Sequence, residues 1–157
     1  MQITFLVVGK TSEQYIQAGI TEYSKRIARY IKFDLKEIPY IKNTKNISEN
    51  EQKQKEGEQI LKNIDKQDFV VLLDDKGKEL DSIAFANMLQ SKMNQSVKKL
   101  FFVVGGAYGF SSDVYNRANS KLSLSKMTFS HQIIRVLFLE QLYRGFTILN
   151  NEPYHHQ

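Results

Sequence analysis

Apolar and polar positions alternate along this chain in two rhythms. Ile3–Val8 is short and apolar but for Thr4, and reads as a buried strand. From Ser12 to Ile31, the residues Tyr15, Ile16, Ile20, Tyr23, Ile27 and Tyr30 recur at spacings of three and four, the signature of an amphipathic helix. Phe33–Ile38 alternates with period two and stops at Pro39, a second strand. Asn43–Asn50 is polar and reads as a loop, and Glu51–Ile64 as a weaker helix interrupted by Gly57. Phe69–Leu73 is a continuous apolar run and Lys99–Val104 is apolar from Leu100 on, the pattern of strands covered on both faces. Asp74-Asp75-Lys76-Gly77-Lys78 reads as a turn, and Asp81 or Ser82 caps a helix reaching about Gln95. Ser111–Asn119 is a short helix, Lys121–Ser125 a short strand or extended loop, and His131–Asn150 a long helix capped by Ser130. Five strands interleaved with helices predict an α/β fold with a largely parallel sheet. No repeat or linker divides it, so residues 1–157 are expected to form one domain.

Composition narrows the class only slightly. The chain is 41% hydrophobic and 25% charged, ordinary for a globular protein. No apolar run approaches the roughly 20 residues that cross a bilayer. The first strand lacks a basic leader and a cleavage site, so a cytoplasmic protein is expected. With no cysteine, disulfides, thiolate metal sites and cysteine nucleophiles are excluded. Lys and Arg total 22 against 17 Asp and Glu, and this excess alone points only weakly to an anionic partner. Lys42–Lys66 mixes both signs and reads as a solvated helix.

Candidate chemistry collects at strand ends, where open α/β sheets bind ligands. Leu73 ends one covered strand, and Val104 leads into Gly105-Gly106-Ala107-Tyr108-Gly109. The spacing is neither G-x-G-x-x-G nor a phosphate loop, so a plain tight turn stays open beside a binding loop. Leu124-Ser125-Lys126-Met127-Thr128-Phe129 precedes the last helix and, taken alone, reads as a surface loop sooner than as a binding segment. That helix is apolar around most of its girth, which calls for a second covering surface such as another subunit. Its polar exceptions are His131, Arg135, Glu140 and Arg144: the last two could form an i, i+4 pair, or the arginines could grip phosphates. The tail Tyr154-His155-His156 offers stacking and proton handling. Adjacent histidines without nearby carboxylates make a poor metal site, so no metal is expected.

Taken together, the glycine loop, Leu124-Ser125-Lys126-Met127-Thr128-Phe129-Ser130-His131-Gln132, then Arg135-Val136-Leu137 with Glu140-Gln141-Leu142-Tyr143-Arg144, and terminal Pro153-Tyr154-His155-His156 resemble one family over the whole chain. It is the ribosomal large-subunit RNA methyltransferase H family of the SPOUT class. The resemblance implies an α/β fold with a C-terminal trefoil knot, an exception to the rule that chains do not knot. It implies S-adenosylmethionine as donor, bound through Leu73, Gly105, Leu124, Ser125, Lys126, Met127, Thr128 and Phe129. It implies a homodimer that methylates N3 of pseudouridine 1915 in 23S rRNA of the assembled ribosome. His155 would then be base or proton relay, Arg144 an anion partner, Tyr154 a stacking group and Glu140 an alternative base or an anchor for Arg144. Ala107-Tyr108, where relatives carry small or polar residues, and Ser130, where they carry proline, depart from the family's pattern. Three alternatives stay open: another SPOUT enzyme with a different rRNA or tRNA target, a non-catalytic RNA-binding assembly factor, and a nucleotide-binding α/β protein.

Overall fold

The computed structural model describes residues 1–156. In chain order the elements are β1 (Gln2–Val8), α1 (Gln14–Ile27), β2 (Lys32–Ile38), α2 (Glu49–Leu61), β3 (Phe69–Glu79), α3 (Ser82–Asn94), β4 (Lys99–Val104), α4 (Ser112–Arg117), β5 (Ser120–Ser123) and α5 (Ile133–Leu149). The five strands form one sheet in the order β2-β1-β4-β3-β5, with every neighbouring pair parallel.

Parallel strands need covered faces, and the residue alternation supplies two cores. Ile3, Phe5 and Val7 of β1, Val71 of β3 and Leu100, Phe102 and Val104 of β4 join one cluster with α1, α3 and α5. Leu6, Val8, Val70, Leu72, Phe101 and Val103 point the other way, onto Ile60 of α2 and Val114 of α4. At the centre of the first core, Phe138 of α5 lies 4.7 Å from both Phe5 and Phe102 by ring centroids. β2 is an edge strand, and its alternation leaves Asp34 and Lys36 exposed.

Several expectations need correction. Asp74–Lys78 is not a turn. It belongs to β3, which bulges away from β5 after the Leu73–Leu122 pair and rejoins it at Lys78–Leu122 and Glu79–Ser123. α2 starts earlier than expected because the Ser48 hydroxyl accepts the Glu51 N–H at 3.1 Å. Nor is that helix wholly solvated, since Glu56 and Gly57 are buried. Asp81 caps α3 by accepting the Ala84 N–H at 2.7 Å. Arg135 is fully buried and cannot grip a phosphate. The girth of α5 is largely covered within its own chain, by α1, α3 and the sheet, while Ile133, Val136, Leu137 and Ile148 keep partial exposure. Among the described residues, no helix is long and apolar enough to cross a membrane.

Candidate active site

The carboxyl ends of β3, β4 and β5 open into a cavity of about 500 Å³. β3 supplies Leu73 and the bulge residues Asp74, Asp75 and Lys76. β4 runs into the glycine loop, and the segment after β5 forms the remaining wall up to Ile134. Of the residues expected to bind a donor, Leu73, Gly105, Leu124, Ser125, Met127, Thr128 and Phe129 all line this cavity. Lys126 does not: it is exposed outside the lining.

Local chemistry explains both loop shapes. Gly109 has φ +80°, in the left-handed region, and its N–H closes the loop onto the Gly106 carbonyl at 3.2 Å. A Cβ on Gly105 would lie 3.1 Å from Phe110 and 3.2 Å from the Gly109 carbonyl, so backbone there faces the cavity bare. Behind Gly106 stands the Glu56 carboxylate, where any side chain would collide with it. Glu56 is 2% exposed, accepts from the Gln52 amide at 3.0 Å through Oε1, and leaves Oε2 unpartnered. Burial pushes its carboxyl up. In the second loop, Ser123 donates to the Ser125 carbonyl at 2.8 Å and the Ser125 hydroxyl accepts the Met127 N–H at 2.9 Å. This turn leaves Met127 75% exposed, a large apolar side chain standing free beside the cavity.

The entrance to α5 is pinned by Arg135. Its guanidinium donates to the Val8 carbonyl (2.7 Å), the Gly9 carbonyl (2.9 Å), the Thr11 hydroxyl (2.9 Å) and the His131 carbonyl (2.9 Å). Glu37 is 3.9 Å away and partly exposed. His131 lines the cavity with its Nε2 3.1 Å from the Tyr40 hydroxyl. Burial, and then the charge of Arg135, lower its pKa and favour the neutral ring.

A second group of polar side chains lies further along α5. Arg144 donates to Glu140 Oε1 at 2.5 Å, the expected i, i+4 pair. The Tyr154 hydroxyl donates to the same oxygen at 3.0 Å, and the Arg144 guanidinium sits 4.7 Å over the Tyr154 ring. His155 Nδ1 is 3.5 Å from Arg144, while its Nε2 is buried without a partner. Burial, the Tyr23 hydroxyl and Glu140 push the Tyr154 phenol up, so it stays protonated. Hydrogen bonding to Glu140 raises Arg144 further and fixes its charge. The structure thus brings Glu140, Arg144, Tyr154 and His155 together. Along the helix, however, Arg144 is ten residues beyond the cavity-lining Ile134, about 15 Å at 1.5 Å per residue. His156 is exposed, and among the described residues no group of His, Asp and Glu could hold a metal ion.

Sequence reasoning missed Asp74, Tyr115 and His131 in the cavity wall and Glu56 behind it. Asp74 follows the singled-out Leu73 directly, so the strand-end rule could have found it. Glu56 carried no such signal.

A glycine loop and a hydroxyl-rich loop around a cavity at the carboxyl ends of a parallel sheet give an α/β protein with a ligand-sized site, and its class is that of the SPOUT methyltransferases. The family model described as "Predicted SPOUT methyltransferase" matches residues 1–155. In fold, the chain is similar to the tRNA (m1G37) methyltransferase from Aquifex aeolicus, at a TM-score of 0.60 and 16% identity, over 100% of this chain and 76% of that one. Within the class it belongs to the ribosomal RNA large subunit methyltransferase H family. It is 57% identical over 157 residues to the protein of that name from Flavobacterium psychrophilum and 56% identical to that from Flavobacterium johnsoniae, covering 100% of both chains in each comparison.

Proposed function

We propose that this chain transfers a methyl group from S-adenosylmethionine to N3 of a pseudouridine in 23S rRNA, position 1915 by the family's pattern, and that it acts in the cytoplasm as a homodimer. The observation that carries the reading is the cavity itself, where Leu73, Gly105 and the 124–129 loop converge on one space. That space suits the donor. Its volume falls within the range of small-molecule sites, roughly 300–1,000 Å³. Leu73, Leu124, Phe129 and Ile134 offer apolar walls for an adenine, and the bare backbone at Gly105 allows close approach. Asp74 offers a counter-charge to a cation. The donor supplies a methyl group already activated by a sulfonium, so the protein's share is alignment and proton handling.

The acceptor is a weakly acidic imide nitrogen that must lose its proton. His155 would take or relay that proton, with Glu140 as the alternative acceptor. Arg144, its charge fixed by Glu140, would stabilise the imide anion or hold a neighbouring phosphate. Tyr154 would stack on the base. Because Glu140 and Arg144 stand about 9 and 15 Å along α5 from the cavity-lining Ile134, with Tyr154 and His155 against them, the reading places the quartet over the cavity of a second subunit. Exposed Tyr108, Met127 and Phe129 near the cavity mouth are the apolar surface such a subunit would cover.

The test is transfer of label from S-adenosylmethionine to ribosomes lacking the modification, followed by mapping of the labelled nucleotide. Label in a large-subunit pseudouridine is the expected result. Donor binding without transfer to any ribosomal RNA would overturn the assignment of target and favour a non-catalytic assembly factor or another RNA.

A further inference from the structure

The cavity wall carries a charge opposite to that of the chain. The whole protein is +5, yet the wall holds two carboxylates, Asp74 and Asp75, against one lysine, Lys76. The imidazole of His131 adds little positive charge there, since burial and Arg135 disfavour its protonation.

Asp74 is the carboxylate held in place. It is half-buried, and its Oδ1 accepts the Lys76 backbone N–H at 2.8 Å. Oδ2 accepts the hydroxyl of Tyr115, a ring that is itself fixed edge-on against Phe110 at 5.8 Å. Burial pushes the Asp74 carboxyl up, but the Tyr115 hydroxyl and the Lys76 amide outweigh it and hold it below the ordinary value. The group is therefore an anion at neutral pH. Each carboxylate oxygen has two lone pairs, so one hydrogen bond apiece leaves Asp74 able to face a cation.

We infer that Asp74 reads the charge of the methyl donor, making the cavity prefer the cationic donor over the neutral thioether left after transfer. This rests on the donor assignment made above. When the methyl carbon leaves, the electron pair of its bond to sulfur stays on sulfur, the new bond forms to the acceptor nitrogen, and that nitrogen's proton goes to the base. S-adenosylhomocysteine therefore differs from the donor by one methyl group and one positive charge. Its ammonium, carboxylate and adenosine are the same. A fixed carboxylate in a half-buried wall acts on that charge with less screening than in bulk water. Preference for the cation promotes loading, and loss of the charge promotes release of the spent molecule.

Asp74→Asn is the informative variant. Its Oδ1 still accepts from Lys76 and its amide can donate to the Tyr115 oxygen, so both anchors persist while the charge is gone. Calorimetric Kd values would be measured for S-adenosylmethionine, S-adenosylhomocysteine and an unreactive analogue in which an amine-bearing carbon replaces the sulfonium. The expected result is a roughly tenfold weaker Kd for both cationic ligands in D74N, with S-adenosylhomocysteine changed by less than about twofold. Equal weakening of all three overturns the inference, because Asp74 would then read the shared ammonium or support the loop. No change in any of them overturns it as well. Should D74N not fold, the wild-type protein decides: the amine analogue must bind like the donor and more tightly than the thioether, and equal affinity for all three sinks the idea. Failure of the wild-type protein to bind any of the three would overturn the donor assignment itself.

Discussion

At the scale of single residues, Arg135 and Glu56 are the two buried charges that shape the site, and they differ in how they are satisfied. Arg135 is fully buried with four acceptors, three of them carbonyls, at the end of β1 and the start of α5. Arg135→Leu would strand the carbonyls of Val8, Gly9 and His131 and the Thr11 hydroxyl. Removing one side of such a buried charged network typically destabilises by about 3–5 kcal/mol. Urea unfolding should show a loss of that order, and a loss under about 1 kcal/mol would mean that water replaces the guanidinium. Glu56 is held above its ordinary value of 4.5 by burial, against which the Gln52 amide works. Below pH 4.5 its carboxyl is protonated in both folded and unfolded chains and no penalty arises. As pH rises past 4.5 the unfolded chain ionises first, so this group's contribution to stability is lost progressively until the folded value is passed. Glu56→Gln cannot titrate. Its stability relative to wild type should therefore climb as pH rises above 4.5 in a series of urea midpoints. A pH-independent difference would show that the carboxylate ionises there without penalty.

At the scale of elements, the β3 bulge is what places Asp74, Asp75 and Lys76 in the cavity wall, and Gly77 makes it possible. A Cβ on Gly77 would lie 2.5 Å from the Leu122 carbonyl carbon and 2.6–2.7 Å from the amides of Leu122 and Ser123. Backbone cannot swing aside as a side chain can. Gly77→Ala should destabilise by about 1–3 kcal/mol, as overpacking does, and should weaken donor binding too, through displacement of the bulge. Thermal unfolding together with donor titration checks both, and unchanged values for each would show that β5 yields freely. The same bulge marks where sequence reading stops. β1 and β4 are legible because strands covered on both faces are apolar almost throughout, as Ile3–Val8 (Thr4 apart) and Leu100–Val104 are. Asp-Asp-Lys-Gly-Lys has the composition of a turn, and only its pairing with β5, a tertiary event, makes it strand. Glu56 is illegible for a related reason. On a helix of mixed charge one glutamate resembles the next, and its burial follows from Gly57 letting α2 settle onto Ser111 at the start of α4, its neighbour on the same face of the sheet. The 124–129 loop could be recognised by its motif, yet residue type alone did not show that Lys126 would be exposed outside the cavity lining.

At the scale of the whole molecule, the proposed chemistry is split between two places that one chain does not bring together. On α5 the cavity lining reaches Ile134, and Glu140 and Arg144 follow about 9 and 15 Å further along the helix, interlocked with Tyr154 and His155. The quartet is already assembled without RNA, through bonds from Tyr154 and Arg144 to one oxygen of Glu140, so no large rearrangement is needed to create it. What is needed is a cavity facing it, and a twofold axis supplies one for each subunit at once. His155→Ala should then lower turnover by about 10²-fold or more, the usual contribution of a positioned base, while donor Kd stays within about twofold. Leu124→Arg should do the reverse, placing a cation inside the donor cavity and abolishing donor binding. If each site takes its cavity from one chain and its tail from the other, the two inactive variants complement when mixed and refolded. Random assortment makes half the dimers mixed, and each mixed dimer holds one intact site of two, so activity should return to about one quarter of wild type. Were each site built from a single chain, both sites of the mixed dimer would be defective and the mixture would stay inactive. Recovery of methyl transfer on mixing is therefore a direct reading of whether the tail works on its own subunit or on its neighbour.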